Sequence, residues 1–131
     1  MATATGEFRI TGGGEDAYDE EAGLRLTHAY GEQAFSGDIE GIGTVHWLMA
    51  YRPDRTARFV GLQRITGTVE GRRGSFVLTA EGDHDSSSSR ISWRIVEGSG
   101  SDELAGITGT GGMDAPGGPA GSYRLDYELS D

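Results

Sequence analysis

Hydrophobic and polar residues alternate along most of the chain, in segments separated by glycine-rich stretches. A period of two is typical of strands that bury one face. The clearest segment, residues 122–129, places its bulky side chains on one face: Tyr123, Leu125, Tyr127 and Leu129. Residues 90–97 alternate almost as regularly. The pattern predicts about eight strands joined as an antiparallel meander, with few helix-forming runs.

The predicted strands span residues 7–11, 24–35, 39–51, 56–69, 75–81, 90–97, 104–110 and 122–129. Between them, 15–21 is predicted to be a solvated acidic loop, 82–89 a mobile polar tip and 111–121 a long loop. For 24–35, the pattern does not decide which face points inward. Both faces of 39–51 are apolar, so this strand is expected to be covered on two sides.

Glycines within the predicted strands favour sharp coiling of the sheet. About eight coiled antiparallel strands can close on themselves and so remove exposed edges. We therefore predict an all-β chain forming an antiparallel barrel of about eight strands, with a ligand-sized interior. The length of 131 residues indicates a single domain, and residues 1–6 and 130–131 are expected to be flexible ends.

Composition excludes several kinds of chemistry. The chain has no cysteine and no lysine, which rules out disulfides, thiolate catalysis and Schiff-base chemistry through a lysine. Its net charge of −10 argues against nucleic acid as a partner. Neither a leader segment nor a long apolar run is recognisable, so a cytoplasmic protein without membrane contact is expected.

Several ordered blocks carry a resemblance to a known family. They are FSGDIEG at 35–41, LMAY at 48–51, FVGL at 59–62, GTVEGRRGSF at 67–76 and LAGITG at 104–109. Together they resemble bacterial domain-of-unknown-function family 3224, over nearly the whole chain from Phe8 to Tyr127. The resemblance implies a barrel similar to those of allene oxide cyclases and dirigent-like proteins. Such relatives bind apolar small molecules and mostly steer their cyclisation or isomerisation.

His46 and Tyr51 are the candidate catalytic residues. His46 lies within a strong strand, and imidazole is suited to proton transfer near neutral pH; the alternative is a position on the outer face or at a subunit contact. His28 would share the cavity with His46 if both strands point them inward. The candidate ligand-binding residues are mostly aromatic: Trp47, Met49, Phe59, Gln63, Phe76, Trp93, Tyr123 and Tyr127.

The leading hypothesis is a barrel that binds an apolar, polyketide-like or fatty-acid-like molecule and acts as a cofactor-free cyclase or isomerase. It would work mainly by confining the reactive conformer. The alternative is a non-catalytic binding or structural barrel that forms a homo-oligomer. A metal-dependent enzyme using His28 and His46 is a third hypothesis, although no metal site or cofactor is predicted from the spacing of the ligands.

Overall fold

In the computed structural model, which describes residues 1–85 and 87–129, eight antiparallel strands form a closed barrel in sequence order. This confirms the predicted fold class. The strands are β1 (Ala2–Glu21), β2 (Leu24–Gly37), β3 (Ile39–Tyr51), β4 (Ala57–Val69), β5 (Arg72–His84), β6 (Ser89–Ile95), β7 (Thr108–Ala115) and β8 (Ala120–Glu128). Among the described residues, no helix is long and apolar enough to cross a membrane.

Strand β1 is longer than the sequence predicts at both ends. Its first part, from Ala2 to Arg9, pairs with β8, so residues 2–6 are held in the sheet and are not a flexible end. Its last part pairs with β2 as far as Glu21, so the predicted loop 15–21 is also wrong. Two register shifts, one at Ile10/Gly12 and one at Ala17/Asp19, allow this strand to coil while remaining paired. Residues 130–131 lie outside the described residues.

One end of the barrel is filled by the connection between β6 and β7. A single turn of 3-10 helix, Asp102–Leu104, carries Leu104 into the core, and Ile107 follows it; both side chains are buried. The seventh strand therefore begins only at Thr108, four residues later than predicted. At this end the core also contains Val69, Phe76 and Leu125.

Strand β7 continues through glycines that the sequence pattern assigns to a loop. A Cβ at Gly111 would lie 2.0 Å from the carbonyl oxygen of Arg124 on β8. Glycine is thus needed for close strand contact at this position, which explains why a glycine-rich run belongs to a strand. The predicted loop 111–121 shrinks to residues 116–119.

The polar tip is shorter than predicted, because β5 extends to His84 and β6 begins at Ser89. Ser86, within this tip, lies outside the described residues. Strand β3 points Val45, Trp47, Met49 and Tyr51 inward, while its other face points away from the barrel. On that outer face Ile42 and Leu48 are each 53% exposed, so within this chain β3 is covered on one side only.

Candidate functional site

The interior is incompletely filled at the end opposite Leu104. A cavity of about 240 Å³ remains there, near the β3–β4 and β5–β6 turns. Its wall is predominantly apolar and contains four predicted site residues, Trp47, Met49, Tyr51 and Phe59. The other lining residues are Phe8, Ile10, Ala29, Gln33, His84, Ser89, Ile91 and Ala115. An adjoining recess of about 440 Å³, beside Gly12–Gly14 of β1, shares Ile10, Ala29, Gln33 and Trp47 with it.

Trp47 and Phe59 form the aromatic wall of this cavity. Their ring centroids are 4.8 Å apart and the rings meet edge to face at 77°. The Trp47 ring lies over Gly61, where a Cβ would be 2.9 Å from Trp47 Cε3. The absence of a side chain at Gly61 therefore leaves room for the indole of Trp47, and the aromatic contact with Phe59 helps to fix the orientation of the ring.

The rim carries a carboxylate next to a phenol. Glu15 of β1 accepts a hydrogen bond of 2.6 Å from Oγ1 of Thr27, a fully buried polar residue of β2. Burial, together with the hydrogen bond and negative charge of Glu15, raises the pKa of Tyr51 to about 12. At neutral pH Tyr51 is therefore a neutral phenol that can donate a proton, and is not a phenolate base.

Below the cavity, three side chains form a buried chain of hydrogen bonds. The indole N–H of Trp93 donates to Oε1 of Gln63 over 3.1 Å, and the Gln63 amide nitrogen donates to Oε1 of Gln33. Gln63 is fully buried, while Gln33 reaches the cavity wall. Two predicted residues, Gln63 and Trp93, therefore do not line the cavity. They are connected to it by hydrogen bonds through Gln33, which is not among the predicted site residues.

Three predicted ligand-binding residues, Phe76, Tyr123 and Tyr127, belong instead to the packed core and do not line the cavity. The Tyr123 hydroxyl accepts from the Ile39 N–H and donates to the Ser36 carbonyl, both over 2.8 Å. The Tyr127 hydroxyl donates to Glu70 Oε1 over 2.5 Å. Burial raises the pKa of both phenols, to about 12 for Tyr127, where Glu70 adds to the effect.

Comparison with known proteins now places the chain in a family. A family model described as a protein of unknown function, DUF3224, matches residues 4–127. The chain belongs to the DUF3224 family. This confirms the resemblance found in the sequence blocks, whereas a specific likeness to allene oxide cyclases stays a prediction.

A solved structure extends the comparison to the fold of the DUF3224 barrel. It is the 1.84 Å crystal structure of a DUF3224 protein of unknown function from Shewanella oneidensis MR-1. The two chains are 24% identical and superpose with a TM-score of 0.81, over 100% of this chain and 99% of the other. None of the curated proteins compared with the chain matches it. At this identity the likeness shows a shared fold and carries no function.

In the DUF3224 barrel, His46 lies on the outer face of β3, away from the cavity. Its Nδ1 is 3.0 Å from Nε2 of His28, and the two rings stack with centroids 5.2 Å apart. The two histidines do meet, as they would in a shared cavity, but outside the barrel. The catalytic role suggested for His46 therefore has no geometric connection to a ligand in the interior.

The histidine pair borders a shallow groove of about 660 Å³ on the outer surface. We call its apolar part the outer patch and define it by Leu48, Val60 and Leu62. These side chains are each about half exposed, and the groove is otherwise lined by residues that include one carboxylate, Glu81, and one guanidinium, Arg94. Within residues 1–85 and 87–129, no group of three or more histidine, aspartate or glutamate side chains is arranged to hold a metal ion.

Sequence reasoning missed Glu15, Thr27 and Gln33. The pattern of residues 24–35 leaves the inward face of β2 open, and the face that points inward is the one opposite Leu26, His28 and Tyr30. Gln33 is in phase with Phe35, a large apolar residue that a half-buried strand would turn inward. That phase was the available signal, because it places Gln33, Ala29 and Thr27 on the same inner face.

Proposed function

We propose that this DUF3224 protein binds a compact apolar molecule in the cavity at the open end of its barrel. The observation that carries the proposal is an apolar, aromatic-walled cavity at one end of a barrel whose other end is filled by Leu104 and Ile107. Ligand sites in proteins are typically concave, mostly apolar and provided with a few polar groups. The Gln33 amide at the wall and the Tyr51 hydroxyl at the rim are such groups.

The volume of the cavity limits the ligand. About 240 Å³ suits a small ring system or a short chain, and a longer polyketide-like or fatty-acid-like molecule would have to extend into the adjoining recess. Ile10, Ala29, Gln33 and Trp47 border both spaces, which supports a ligand that bends from one to the other. An apolar ligand of this size would be held mainly by burial of its surface.

The same site supports a catalytic version of the proposal. Tyr51 remains protonated at neutral pH, and the Glu15 carboxylate beside it is suited to take up a proton. Such a pair would assist an isomerisation or cyclisation without a cofactor, with most of the rate acceleration coming from confinement of the substrate. Under this proposal Tyr51, and not His46, is the catalytic candidate.

Binding is tested by filling the cavity. Ala29→Leu would place a larger side chain at the wall, whereas Ala34→Leu, on the exposed face of the same strand, is the matched control. We expect uncharged apolar compounds to raise the Tm of the wild type and of Ala34→Leu, but not of Ala29→Leu. Equal shifts in all three proteins would contradict binding in the cavity.

Catalysis is tested by Tyr51→Phe, which removes the hydroxyl and keeps the ring. For any compound that the wild type both binds and converts, we expect this variant to bind with similar affinity and to convert at least about a hundredfold more slowly. Product analysis by mass spectrometry and chromatography provides the rate. A Tyr51→Phe variant with unchanged turnover would leave a binding protein whose reaction does not use this phenol.

The outer patch favours a second candidate function, an oligomeric structural barrel. Two copies could place this surface face to face without bringing many acidic groups together, because the described residues that line the groove include one carboxylate in a chain of net charge −10. Sedimentation velocity is expected to detect a dimer that Leu62→Arg abolishes and Ser122→Arg, on another exposed face, preserves. A monomeric wild type over a wide concentration range would refute this candidate.

A further inference from the structure

In the buried series of hydrogen bonds from Trp93 through Gln63 to Gln33, the donor and acceptor roles are determined by Trp93. An indole nitrogen can only donate a hydrogen bond, so Trp93 orients the Gln63 amide with its oxygen toward the indole. The Gln63 amide nitrogen must then face Gln33, whose oxygen accepts from it. Gln33 is left with its NH₂ group as the free end of the chain.

The free end lies at the cavity. Gln33 is 5% exposed and is among the residues that line the space beneath Trp47. In the part of the chain that the structure describes, its NH₂ group donates no side-chain hydrogen bond to the protein, while its oxygen accepts one from Gln63. Among the described residues no fully enclosed side-chain donor lacks a partner, so the Gln33 NH₂ group is open to the cavity, where the acceptor of a ligand can reach it.

The surrounding backbone makes room for this arrangement. Gln33 and Gln63 meet across β3 at Gly43, where a Cβ would lie 3.0 Å from Gln33 Oε1 and 3.2 Å from Gln63 Nε2. The same Cβ would lie 2.6 Å from the Phe35 ring. The absence of a side chain at Gly43 therefore permits the contact that determines the polarity of Gln33.

We propose that the cavity recognises uncharged carbonyl compounds, whose oxygen accepts a hydrogen bond from the Gln33 amide while the rest of the molecule packs against Trp47 and Phe59. This inference rests on the proposed function and adds the chemical class of the ligand. A ketone, aldehyde, ester or amide would supply the acceptor that Gln33 lacks, and a hydrocarbon would leave the amide unpaired.

Charge at the site argues for a neutral ligand. Among the described residues no arginine lines the cavity wall; Arg25 lies outside it, 5.8 Å from the centroid of the Tyr51 ring at the rim. The basic side chain of the wall, His84, is hydrogen-bonded to Ser89 over 2.6 Å. The Glu15 carboxylate in the adjoining recess would repel an anion further. Burying an unpaired charge is far more costly than burying a carbonyl group that finds a donor.

The test compares two probes of nearly the same shape, acetophenone and α-methylstyrene, in which a methylene group replaces the carbonyl oxygen. Their transfer from water differs, so the informative quantity is the ratio of their Kd values in wild type compared with the ratio in Gln33→Met. Protein-detected NMR titration at millimolar probe concentrations gives both constants. Gln33→Met keeps the side-chain volume close to that of glutamine and removes the donor.

We expect the preference for acetophenone over α-methylstyrene to fall about tenfold in Gln33→Met, the effect of one hydrogen bond. Unchanged relative affinities would overturn the carbonyl assignment while leaving cavity binding intact. If neither probe binds the wild type, the proposed function fails as well.

A second measurement does not depend on the folding of a variant. In the wild type, acetophenone should shift the side-chain amide resonances of Gln33 in the direction of a stronger hydrogen bond, and α-methylstyrene should not. Equal shifts with both probes would contradict a carbonyl contact at Gln33, even where both probes occupy the cavity.

Discussion

At one end of the barrel Leu104 and Ile107 fill the space between the strands, and at the other end Trp47, Met49 and Phe59 border a cavity. Both ends are built from inward-facing residues of the same strands. They differ in what the connections contribute, because the long β6–β7 connection supplies apolar side chains while the turns at the open end are short. The strands alone would therefore leave both ends of the barrel open. The β6–β7 connection closes one end, so the cavity is open at the other end only.

The two ends also contain the same polar pair in different surroundings. Tyr127 donates to Glu70 at the filled end, and at the rim of the cavity Glu15 is close enough to Tyr51 to raise its pKa. Both phenols have a pKa of about 12, for the same causes of burial and a neighbouring carboxylate. A perturbed pKa therefore does not distinguish the two sites, and the cavity beside Tyr51 is the observation that does.

The largest expected effect comes from truncating a packed residue at the filled end. Phe76 is fully buried, so Phe76→Ala should lower the free energy of unfolding by about 4 kcal/mol, through lost burial and a new cavity. Met49→Ala, at the existing cavity, should cost only about 1 kcal/mol, because this side chain is partly exposed already. Urea denaturation measures both values, and equal costs would mean that the open end is packed as tightly as the filled one.

A smaller effect is expected where the amide chain crosses β3. Gly43→Ala places a methyl group against Phe35 and both glutamines and should cost about 2 kcal/mol. Gly12→Ala is the matched control, since a Cβ there has no atom within 4 Å. We expect the control to change the free energy of unfolding by less than about 1 kcal/mol, measured in the same urea titrations. A tolerated Gly43→Ala would mean that the glutamine pair can move aside.

Much of this fold can be predicted from the sequence, because side-chain alternation reports directly on strands. The predicted bounds of β3, residues 39–51, agree with the structure, and those of β4 and β8 differ by one or two residues. Two of the misassigned segments, 15–21 and 111–115, are rich in acidic residues and in glycine, respectively. In β1 and β7 these residues belong to the sheet because their backbone is paired with neighbouring strands. Backbone pairing cannot be recognised from the hydropathy of the side chains.

The site is less predictable than the fold. In the closed barrel one face of each strand points inward, and the sequence does not always indicate which face that is. An inward position for Trp47, Met49, Tyr51 and Phe59 can be predicted, because their strands have a large apolar inner face. The outward position of His46 cannot be predicted in this way, because the outer face of β3 is apolar as well and the pattern does not distinguish the two faces. Gln33 and Glu15 require knowledge of the register between β1, β2 and β3, which no single strand contains.

Tyr51 at the open end and Tyr127 at the filled end should both make the free energy of unfolding depend on pH in alkaline solution. Because the pKa of both Tyr51 and Tyr127 is about 12 in the folded protein, above the ordinary 10.0, the folded state retains these protons better than the unfolded chain. The contribution of these groups to the free energy of unfolding should therefore be fully present and independent of pH below 10.0, and should be lost as the pH rises from 10.0 to about 12. Urea titrations across this range measure the slope, which Tyr51→Phe and Tyr127→Phe should each reduce.

A bound ligand should change the pKa of only one of these two tyrosines. Filling the cavity removes water from around Tyr51 and should raise its pKa further, while the pKa of Tyr127 stays unchanged. Ultraviolet difference titration of Tyr51→Phe and Tyr127→Phe, with and without a ligand, assigns each transition. A ligand-dependent transition that persists in Tyr51→Phe would place the ligand away from the open end.

The smallest expected effect is at His46, which is adjacent to Trp47 in the chain and on the opposite side of the wall. His46→Ala should change the free energy of unfolding by less than about 0.5 kcal/mol, since the side chain is exposed and its contact is another surface imidazole. It should also leave the affinity for a cavity ligand unchanged, whereas Trp47→Ala removes part of the aromatic wall and should weaken binding markedly. Calorimetric titration of the two variants provides the comparison. Loss of binding in His46→Ala alone would move the site from the interior of the barrel to the outer groove, because no described contact connects this imidazole to the cavity.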